Sequence, residues 1–339
     1  MEIVFVHLNT RLPRYLRSNL LAHIEKFPGH KVTLIHSAGI EIPALKGLNL
    51  VPATEDSRVH ELNLLYSHPK EFRSNFWLTS SARLFALENY MMKVQTEIIH
   101  VESDVIIARD FPFRKFSELK DGLAFPLISN SRGVASVVYL RDTTAANLLS
   151  STLISEARKN AQTTEMLSLM EVYKSNPSQI FALPIGNDNP NFYRNIDSAR
   201  RQVLIENFKS FDGIFDGVEI GQYFCGTDPR NRRGKKLIRH DLVDGYVNVK
   251  NLELRFDSRR RFINVSEIGS EKIEFLFAIH VPSKKNRIFK SDTQERALRE
   301  ISQQSMKGSS AQTSLNSLSS SVLKSVWRRL KVLRILGKH

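Results

Sequence analysis

The sequence has only one cysteine, Cys225, among its 339 residues, so the chain forms no internal disulfide. A lone thiol is typical of a protein kept in a reducing compartment. Long apolar runs are also absent, because no stretch approaches the ~20 residues of a membrane-spanning helix. The N-terminal apolar run covers only residues 3–6 and lacks the basic segment and the length of a signal peptide. These absences predict a protein that is made and kept in the cytoplasm.

Acidic residues are too few to balance the basic ones. The chain has 49 Lys and Arg against 35 Asp and Glu, a net charge of +14 at pH 7, which predicts an anionic partner. A nucleic-acid-binding protein would explain this charge. The basic residues of segment 227–261, however, are not interleaved with aromatic ones, and the sequence has no zinc-finger, homeodomain or ribonucleoprotein motif. We therefore expect no nucleic acid among the partners.

The C-terminal residues 322–339 combine basic and apolar side chains at helical spacing. They carry six Lys or Arg and no acid, while Leu323, Val326 and Leu330 recur on one face. This pattern predicts a basic amphipathic helix that lies on an anionic membrane surface. A helix packed on its own domain and a disordered basic tail are the alternatives. The polar, Ser-rich residues before it predict a flexible linker over 291–321.

Two carboxylates interrupt an apolar run. Residues 98–107 read Ile-Ile-His-Val-Glu-Ser-Asp-Val-Ile-Ile, which predicts one β-strand. Glu102 and Asp104 would leave the same face, with attachment points roughly 7 Å apart, because a strand repeats every two residues. Such oxygen ligands suit Mg²⁺ or Mn²⁺, which enzymes of nucleotide-activated substrates hold with carboxylates and the diphosphate. The pair indicates nucleotide-sugar chemistry, and a solvated strand end is the alternative.

The first half of the chain alternates strands and helices. Apolar spacing predicts a strand at residues 2–7, a helix at 13–27 and a strand at 31–36. A β-α-β unit of this kind forms a parallel sheet with a right-handed crossover. Ligands of such sheets bind beyond the carboxyl ends of the strands, so the loop from His7 to Arg11, which includes Asn9, should face the nucleotide.

Later segments continue this alternation. A helix is predicted over 80–93, with the hydroxyls of Thr79, Ser80 and Ser81 as candidates to cap its first turn. The remaining predictions are strands at 123–127 and 135–140 and helices at 143–154 and 163–173.

A candidate metal ligand ends a late apolar run. Residues 273–279 read as a strand, and they are followed by His280 and then by Lys284 and Lys285. A neutral imidazole can ligate manganese, and two lysines can neutralise the charge that builds on a departing nucleoside diphosphate. The alternative for His280 is a hydrogen-bonded structural histidine.

Together these segments resemble glycosyltransferases of the GT-A fold. The resemblance covers roughly residues 1–290, and Glu102-Ser103-Asp104 stands at the place of the family's Asp-X-Asp motif. It implies an α/β fold with a Rossmann-type mixed sheet flanked by helices. Its nucleotide-sugar-binding half would span 1–125, and its acceptor-binding and catalytic half 126–290. It also implies that Arg83 and Ser103 bind the nucleotide-sugar and that His280 completes the metal site. An ordinary surface arginine is the alternative for Arg83.

The resemblance further places the acceptor side at residues 211–217, 221–223 and 226–231. Sugar transfer needs a carboxylate or another polar group on that side. We expect Asp216 and Glu219 to be catalytic, and Asp212 and Gln222 to lie on the acceptor side. A helix N-cap is the alternative role for Asp216.

The combined prediction is a metal-dependent hexosyltransferase that uses Mn²⁺ or Mg²⁺. It would move a sugar from a nucleotide-sugar, a UDP-sugar, to a glycan or lipid-linked acceptor in cell-surface polysaccharide or lipopolysaccharide biosynthesis. The protein would be cytoplasmic and peripheral on the inner membrane face. A catalytically silent nucleotide- or sugar-binding module at the membrane and a basic nucleic-acid-binding protein are the competing classes.

Overall fold

The computed structural model describes residues 1–73, 75–232 and 241–307. The strands are β1 (Glu2–His7), β2 (Val32–His36), β3 (Leu48–Pro52), β4 (Ile98–Val101), β5 (Val105–Ile107), β6 (Leu123–Ser129), β7 (Arg132–Gly133), β8 (Val137–Leu140), β9 (Ile180–Leu183), β10 (Ile214–Phe215), β11 (Leu252–Asp257), β12 (Phe262–Glu267) and β13 (Leu276–His280). The helices are α1 (Arg14–Lys26), α2 (Ser57–Leu65), α3 (Phe76–Val94), α4 (Phe113–Ser117), α5 (Thr143–Lys159), α6 (Glu165–Ser175), α7 (Ser198–Phe211), α8 (Glu219–Cys225), α9 (Asn286–Phe289) and α10, residues 291–307.

The predicted α/β architecture, a mixed sheet flanked by helices, is confirmed. The largest sheet runs in the order β3-β2-β1-β4-β8-β6-β7, and β9 pairs with β6. Strands β1, β2, β3 and β4 are parallel, whereas β8 is antiparallel to β4 and to β6. The carboxyl ends of β1 and β4 therefore meet at one edge, which is where the site lies.

Strand β1 separates the two halves of the hydrophobic core. Its side chains alternate, so that Val4 and Val6 pack with α3 and α5 on one face, while Ile3 and Phe5 pack with α1 and α4 on the other. All four are buried. Burial on both faces explains why this strand reads as a continuous apolar run.

The predicted single strand through Glu102 and Asp104 is wrong. Strand β4 ends at Val101 and β5 begins at Val105, and between them the backbone turns, with the N–H of Val105 donating to the carbonyl of Glu102 at 3.0 Å. Strand β5 belongs to a different sheet, ordered β10-β13-β5. The two carboxylates thus lie where the chain passes from one sheet to the other.

The predicted cap of the helix over 80–93 is also wrong. Helix α3 begins at Phe76, with Asn75 as its N-cap residue, so the three hydroxyl residues lie inside the helix. Thr79 donates to the carbonyl of Phe76 at 3.1 Å, and Ser80 donates to that of Trp77 at 3.1 Å. These hydroxyls bond to the preceding turn instead of to free N–H groups.

The predicted linker is wrong for residues 291–307. These residues form α10, and Ala297, Leu298 and Ile301 are buried. The serines that suggested a tether bind the backbone of β11: Ser302 donates to the carbonyl of Leu254 at 2.8 Å, and Ser305 accepts from its N–H at 2.9 Å. The rest of the linker and the predicted helix at 322–339 lie outside the described residues.

Most other predicted elements are confirmed with small shifts at their ends. The helices predicted at 13–27, 143–154 and 163–173 are α1, α5 and α6, and the strands predicted at 2–7, 31–36, 123–127 and 135–140 are β1, β2, β6 and β8. The late strand is β13, which includes His280. None of the helices in the described part of the chain has the length and apolarity needed to span a lipid bilayer.

Candidate functional site

A cavity of about 590 Å³ lies at the carboxyl ends of β1 and β4. It is lined by nine of the residues predicted to form the site, namely His7, Asn9, Arg83, Glu102, Ser103, Asp104, Gln222, His280 and Lys284. Four predicted residues, Lys285, Asp212, Asp216 and Glu219, lie outside the lining. The structure therefore brings the predicted donor side and metal residues together, and it sets apart most of the acceptor side.

The turn that carries the carboxylates is held by backbone bonds. The N–H of Glu102 donates to the carbonyl of Ser136 at 3.1 Å, and the carbonyl of Asp104 accepts from the N–H of Val281 at 2.7 Å. The second bond comes from the residue that follows β13. Because β13 is antiparallel to β5, with His280 opposite Val105, it places His280 beside Asp104.

Glu102, Asp104 and His280 form a compact cluster. One potential ligand atom from each lies within 4.8 Å of the others. The distance from His280 Nε2 to Asp104 Oδ1 is 3.2 Å. His280 Nδ1 lies 3.0 Å from the carbonyl oxygen of Gly217, an acceptor, so this nitrogen carries the proton and donates. Nε2 is then the nitrogen directed at Asp104, as in metal-binding histidines whose other nitrogen bonds to a carbonyl, while Nδ1 is the nitrogen nearer to Glu102.

The residues of this cluster fit a divalent cation. Two carboxylates and one imidazole are oxygen and nitrogen ligands of the kind that Mn²⁺ and Mg²⁺ accept. Burial alone would lower the pKa of His280, but the charges of Asp104 and Glu102 outweigh it and raise that pKa to about 9. Without a cation, the imidazolium therefore offsets part of the carboxylate charge.

Arg83 of α3 links the partly buried carboxylate of Glu102 to the buried carboxylate of Glu165. Its Nη1 lies 2.6 Å from Glu102 Oε1, and its Nη2 lies 3.1 Å from Glu165 Oε1. Burial would raise the pKa of Glu102, but the positive charges of Arg83 and His280 hold it below its usual range. Glu102 is thus kept ionised, and its second oxygen faces His280 at 3.8 Å.

Lys284 bridges Asp104 and Asp228. Its Nζ lies 3.1 Å from Asp104 Oδ2 and 2.9 Å from Asp228 Oδ2. Burial would raise the pKa of Asp104, but Lys284 and His280 hold it well below its usual range. The backbone of Lys284 has a φ of 53°, in the left-handed region that non-glycine residues rarely adopt. Such local strain is concentrated at functional sites.

Asp228 gathers further cations at the cavity wall. Its carboxylate accepts from Arg73 Nη2 at 2.5 Å and from Arg230 Nη2 at 2.7 Å, in addition to Lys284. Three cations around one carboxylate leave an excess of positive charge on this wall. The sequence predicts only an acceptor-side place for Asp228 and Arg230, and it predicts no role for Arg73 or for Tyr15, which also lines the cavity. A local signal existed only for Asp228 and Arg230, which lie in one turn in which the N–H of Arg230 donates to Asp228 Oδ1 at 2.9 Å.

Asp216 is buried outside the cavity and accepts three backbone hydrogen bonds. Its donors are the N–H groups of Ile220 at 3.0 Å and Gly221 at 2.8 Å, in α8, and of His280 at 3.0 Å. Burial raises the pKa of Asp216 to about 6. The carboxylate thus anchors the start of α8 to β13, although the N-cap residue of α8 is Val218 and not Asp216.

The other acceptor-side residues are dispersed. Glu219 is buried, accepts from the N–H of Val247 at 3.2 Å, and has its pKa raised well above the usual range by burial. Asp212 is exposed at the end of α7, and Lys285 is exposed before α9. Gln222 lines the cavity. The catalytic roles of Asp216 and Glu219 stay predictions.

The comparisons with known proteins give only remote likenesses. No protein-family model and no curated protein matches the chain. Galactosyltransferase LgtC, in complex with donor and acceptor sugar analogues, has a TM-score of 0.42 and 15% identity, over 60% of this chain and 84% of that one. Mouse xyloside xylosyltransferase 1 has a TM-score of 0.36 and 9% identity, over 59% and 89%. A glycosyltransferase involved in glycosylation of the PBCV-1 major capsid has a TM-score of 0.35 and 14% identity, over 55% and 84%. These scores are too low to carry an argument about fold or function.

Proposed function

We propose that this protein is a metal-dependent glycosyltransferase that moves a sugar from a nucleotide-sugar, a UDP-sugar, to a glycan or lipid-linked acceptor. The single observation that carries the proposal is the juxtaposition of Glu102, Asp104 and His280 with Arg83 and Lys284 in one cavity. This combination suits a substrate with a diphosphate and a divalent cation. Cell-surface polysaccharide or lipopolysaccharide biosynthesis is the proposed pathway.

The donor would enter at the carboxyl end of β1. The loop from His7 to Arg11 lies there, and His7 Nε2 is 2.8 Å from the carbonyl oxygen of Arg11, a bond that supports the loop. Parallel sheets bind nucleotides at this edge. His7 and Asn9 would contact the nucleotide, and Ser103 would approach the sugar-diphosphate from the turn between β4 and β5.

The positive charges of the cavity would stabilise the departing nucleoside diphosphate. Burial would lower the pKa of Lys284, but Asp104, Tyr15 and Asp228 raise it above its usual range, so that the ammonium group stays protonated. Arg73 and Arg230 lie on the same wall. Fixed charges of this kind act where negative charge develops in the transition state. A cation held by Glu102, Asp104 and His280 would supply Lewis-acid stabilisation of the same charge.

The reacting hydroxyl group of the acceptor would lie on the side of Gln222, which lines the cavity. Asp216 and Glu219 lie outside the cavity lining and would act indirectly. Asp216 would fix α8 and His280 through the three hydrogen bonds described above. Residues 322–339 would bind the membrane surface at which a lipid-linked acceptor lies, and their basic and apolar pattern supports that proposal.

The decisive experiment is donor hydrolysis by the purified full chain against a panel of nucleotide-sugars, with Mn²⁺ and with chelator. We expect slow hydrolysis of one donor that requires the metal. The Asp104→Asn variant should lose it, whereas the matched control Asp188→Asn, which changes an exposed ion pair with Lys272, should keep it. Hydrolysis that survives both chelation and Asp104→Asn would refute the metal assignment, and hydrolysis of no donor in the panel would refute the assignment as a glycosyltransferase.

A further inference from the structure

A second groove adjoins the cavity on the outer side of the loop from His7 to Arg11. It has a volume of about 530 Å³. Its lining consists of Thr10, Arg11, Leu12, Arg14, Arg17, Gly39, Glu41 and Pro43. Thr10 and Arg11 also line the main cavity. A ligand in the groove would therefore lie next to the donor site.

Three arginines in this groove have no partner within the described residues. Arg11, Arg14 and Arg17 are exposed, and no ion pair or side-chain hydrogen bond joins their guanidinium groups to any residue of the ranges 1–73, 75–232 and 241–307. Arginines elsewhere around the site are neutralised, as Arg83 is by Glu102 and Arg73 is by Asp228. The groove is thus a local concentration of uncompensated positive charge.

The positive charge of this groove lowers the stability of α1. Arg14 and Arg17 are three residues apart on α1, so their side chains are neighbours, and like charges at this spacing destabilise a helix by a few tenths of a kcal/mol. The first turn of α1 contains no acid, and Glu41 is the one acid of the groove lining. Guanidinium groups bind carboxylates and phosphates through paired, charge-assisted hydrogen bonds. A bound anion would relieve the repulsion.

We propose that this groove binds an anionic group, a carboxylate or a phosphate, on the acceptor glycan. This inference rests on the proposed glycosyltransferase function. The groove is concave and continuous with the cavity, which favours a glycan over a membrane surface as its ligand. A flat bilayer does not fill a groove. The lining supplies a single aliphatic side chain larger than proline, Leu12, and it is partly buried. The groove would hold the charged part of the acceptor while the neighbouring hydroxyl group reaches the donor.

The test compares the full chain with two double variants that remove equal charge. The groove variant is Arg14→Gln with Arg17→Gln. The control is Arg114→Gln with Arg296→Gln, two arginines whose side chains are 92% and 85% exposed. Calorimetry measures binding of hexagalacturonate, a carboxylated hexasaccharide, with and without UDP and Mn²⁺, and uncharged maltohexaose serves as the neutral probe.

We expect hexagalacturonate to bind about tenfold more weakly to the groove variant, as the loss of charge-assisted contacts predicts. The control should bind within about twofold of the parent chain, and maltohexaose should not compete. Equal binding by both double variants, or no binding of hexagalacturonate by the parent, would overturn the proposal. Attachment to phosphatidylglycerol vesicles that depends on Arg14 and Arg17, without hexagalacturonate binding, would also overturn it, because it would identify a membrane surface.

Donor hydrolysis, which needs no acceptor, separates this proposal from the function on which it rests. We expect equal metal-dependent hydrolysis by the parent, groove and control proteins, since Arg14 and Arg17 lie outside the main cavity lining. Absence of hydrolysis in all three would refute the glycosyltransferase assignment. The calorimetric comparison without UDP would still decide whether the groove binds anions.

Discussion

Asn19 in α1 donates from its Nδ2 to the backbone carbonyl of Val105 at 2.8 Å, and the same nitrogen donates to the carbonyl of Ser103 at 3.1 Å. Asn19 is fully buried and lies outside the cavity lining. One amide group thus holds both sides of Asp104. The orientation of this carboxylate depends on a residue that would contact neither substrate nor metal.

Replacing Asn19 with Ala should loosen the turn from Glu102 to Asp104. Two carbonyl groups would lose their donor, and one buried unsatisfied group typically costs about 1–3 kcal/mol of stability. We expect a lower free energy of urea unfolding. We also expect weaker Mn²⁺ binding, so that half-maximal donor hydrolysis needs a higher Mn²⁺ concentration. The control is Ser18→Ala, on the same helix as Asn19, which removes a partly buried hydrogen bond to Asn286 of α9. An unchanged Mn²⁺ requirement in Asn19→Ala would show that the turn is held by its backbone bonds alone.

Replacing Arg83 with Met should destabilise the fold strongly. Glu165, which is buried, and Glu102, which is partly buried, would lose their shared cation, and breaking a buried pair in this way costs about 3–5 kcal/mol. The double variant Arg83→Met with Glu165→Gln should recover part of that loss, since one of the two charges is then removed. A double-mutant cycle by urea denaturation measures the coupling. Additive losses would contradict the electrostatic link between Arg83 and Glu165.

Gly221 allows α8 to approach β13. A Cβ atom at this position would lie 1.5 Å from the carbonyl oxygen of His280, so Gly221→Ala must displace the helix or the strand. We expect a large loss of stability and of donor hydrolysis. Gly29→Ala, where nothing lies within 4 Å of the added carbon, should be close to neutral. Thermal unfolding of the two variants compares them directly, and equal melting temperatures would disprove the packing argument.

Glu88 should make the fold sensitive to acid. Burial would raise its pKa, but hydrogen bonds from Asn147, Ser150 and Arg58 together hold it below the usual 4.5. Because the pKa is lower in the folded state, the stabilisation is present above about pH 4.5 and is lost as the pH falls through the folded-state pKa.

The measurement is the free energy of urea unfolding for the parent and for Glu88→Gln at pH 7 and at about pH 3.5. The difference in unfolding free energy between the two proteins should be large at pH 7 and smaller at acidic pH. Glu118→Gln removes an exposed pair with Arg114 and should change little at pH 7, as exposed pairs contribute little. A gap for Glu88→Gln that is constant with pH would mean that its loss reflects packing rather than ionisation.

Local patterns in the sequence predict the elements that depend on local contacts. The apolar period of residues 2–7 predicts β1 because both faces of that strand are buried, and the spacing in α1 and α5 follows from one face packed against the sheet. The turn at Glu102 to Asp104 is different, since the chain changes sheets there only because β13 pairs with β5. The spacing of apolar residues in a strand does not show which sheet that strand joins.

The candidate site shows the same division. Glu102, Asp104 and His280 could be singled out by residue type and by the family resemblance, but the strand spacing does not explain their grouping, because β4 ends before Glu102 and β5 begins after Asp104. Arg73 could not, because it reaches Asp228 from a loop far away in sequence. The serines of α10 were misread because a composition rich in serine does not show that an edge strand, β11, accepts their hydrogen bonds. In each failure the missing information is a tertiary partner.

The pairing of β5 with β13 also has a consequence for how the protein is synthesised. A growing chain would carry both carboxylates long before the histidine emerges from the ribosome, and nothing local can substitute for β13. The proposed cation site would therefore assemble only after this pairing of segments far apart in the sequence, and such long-range pairing is slow. A shortened chain that stops before Leu276 could retain much of the large sheet and yet have no competent centre, so cation binding would report whether the chain has reached its native topology.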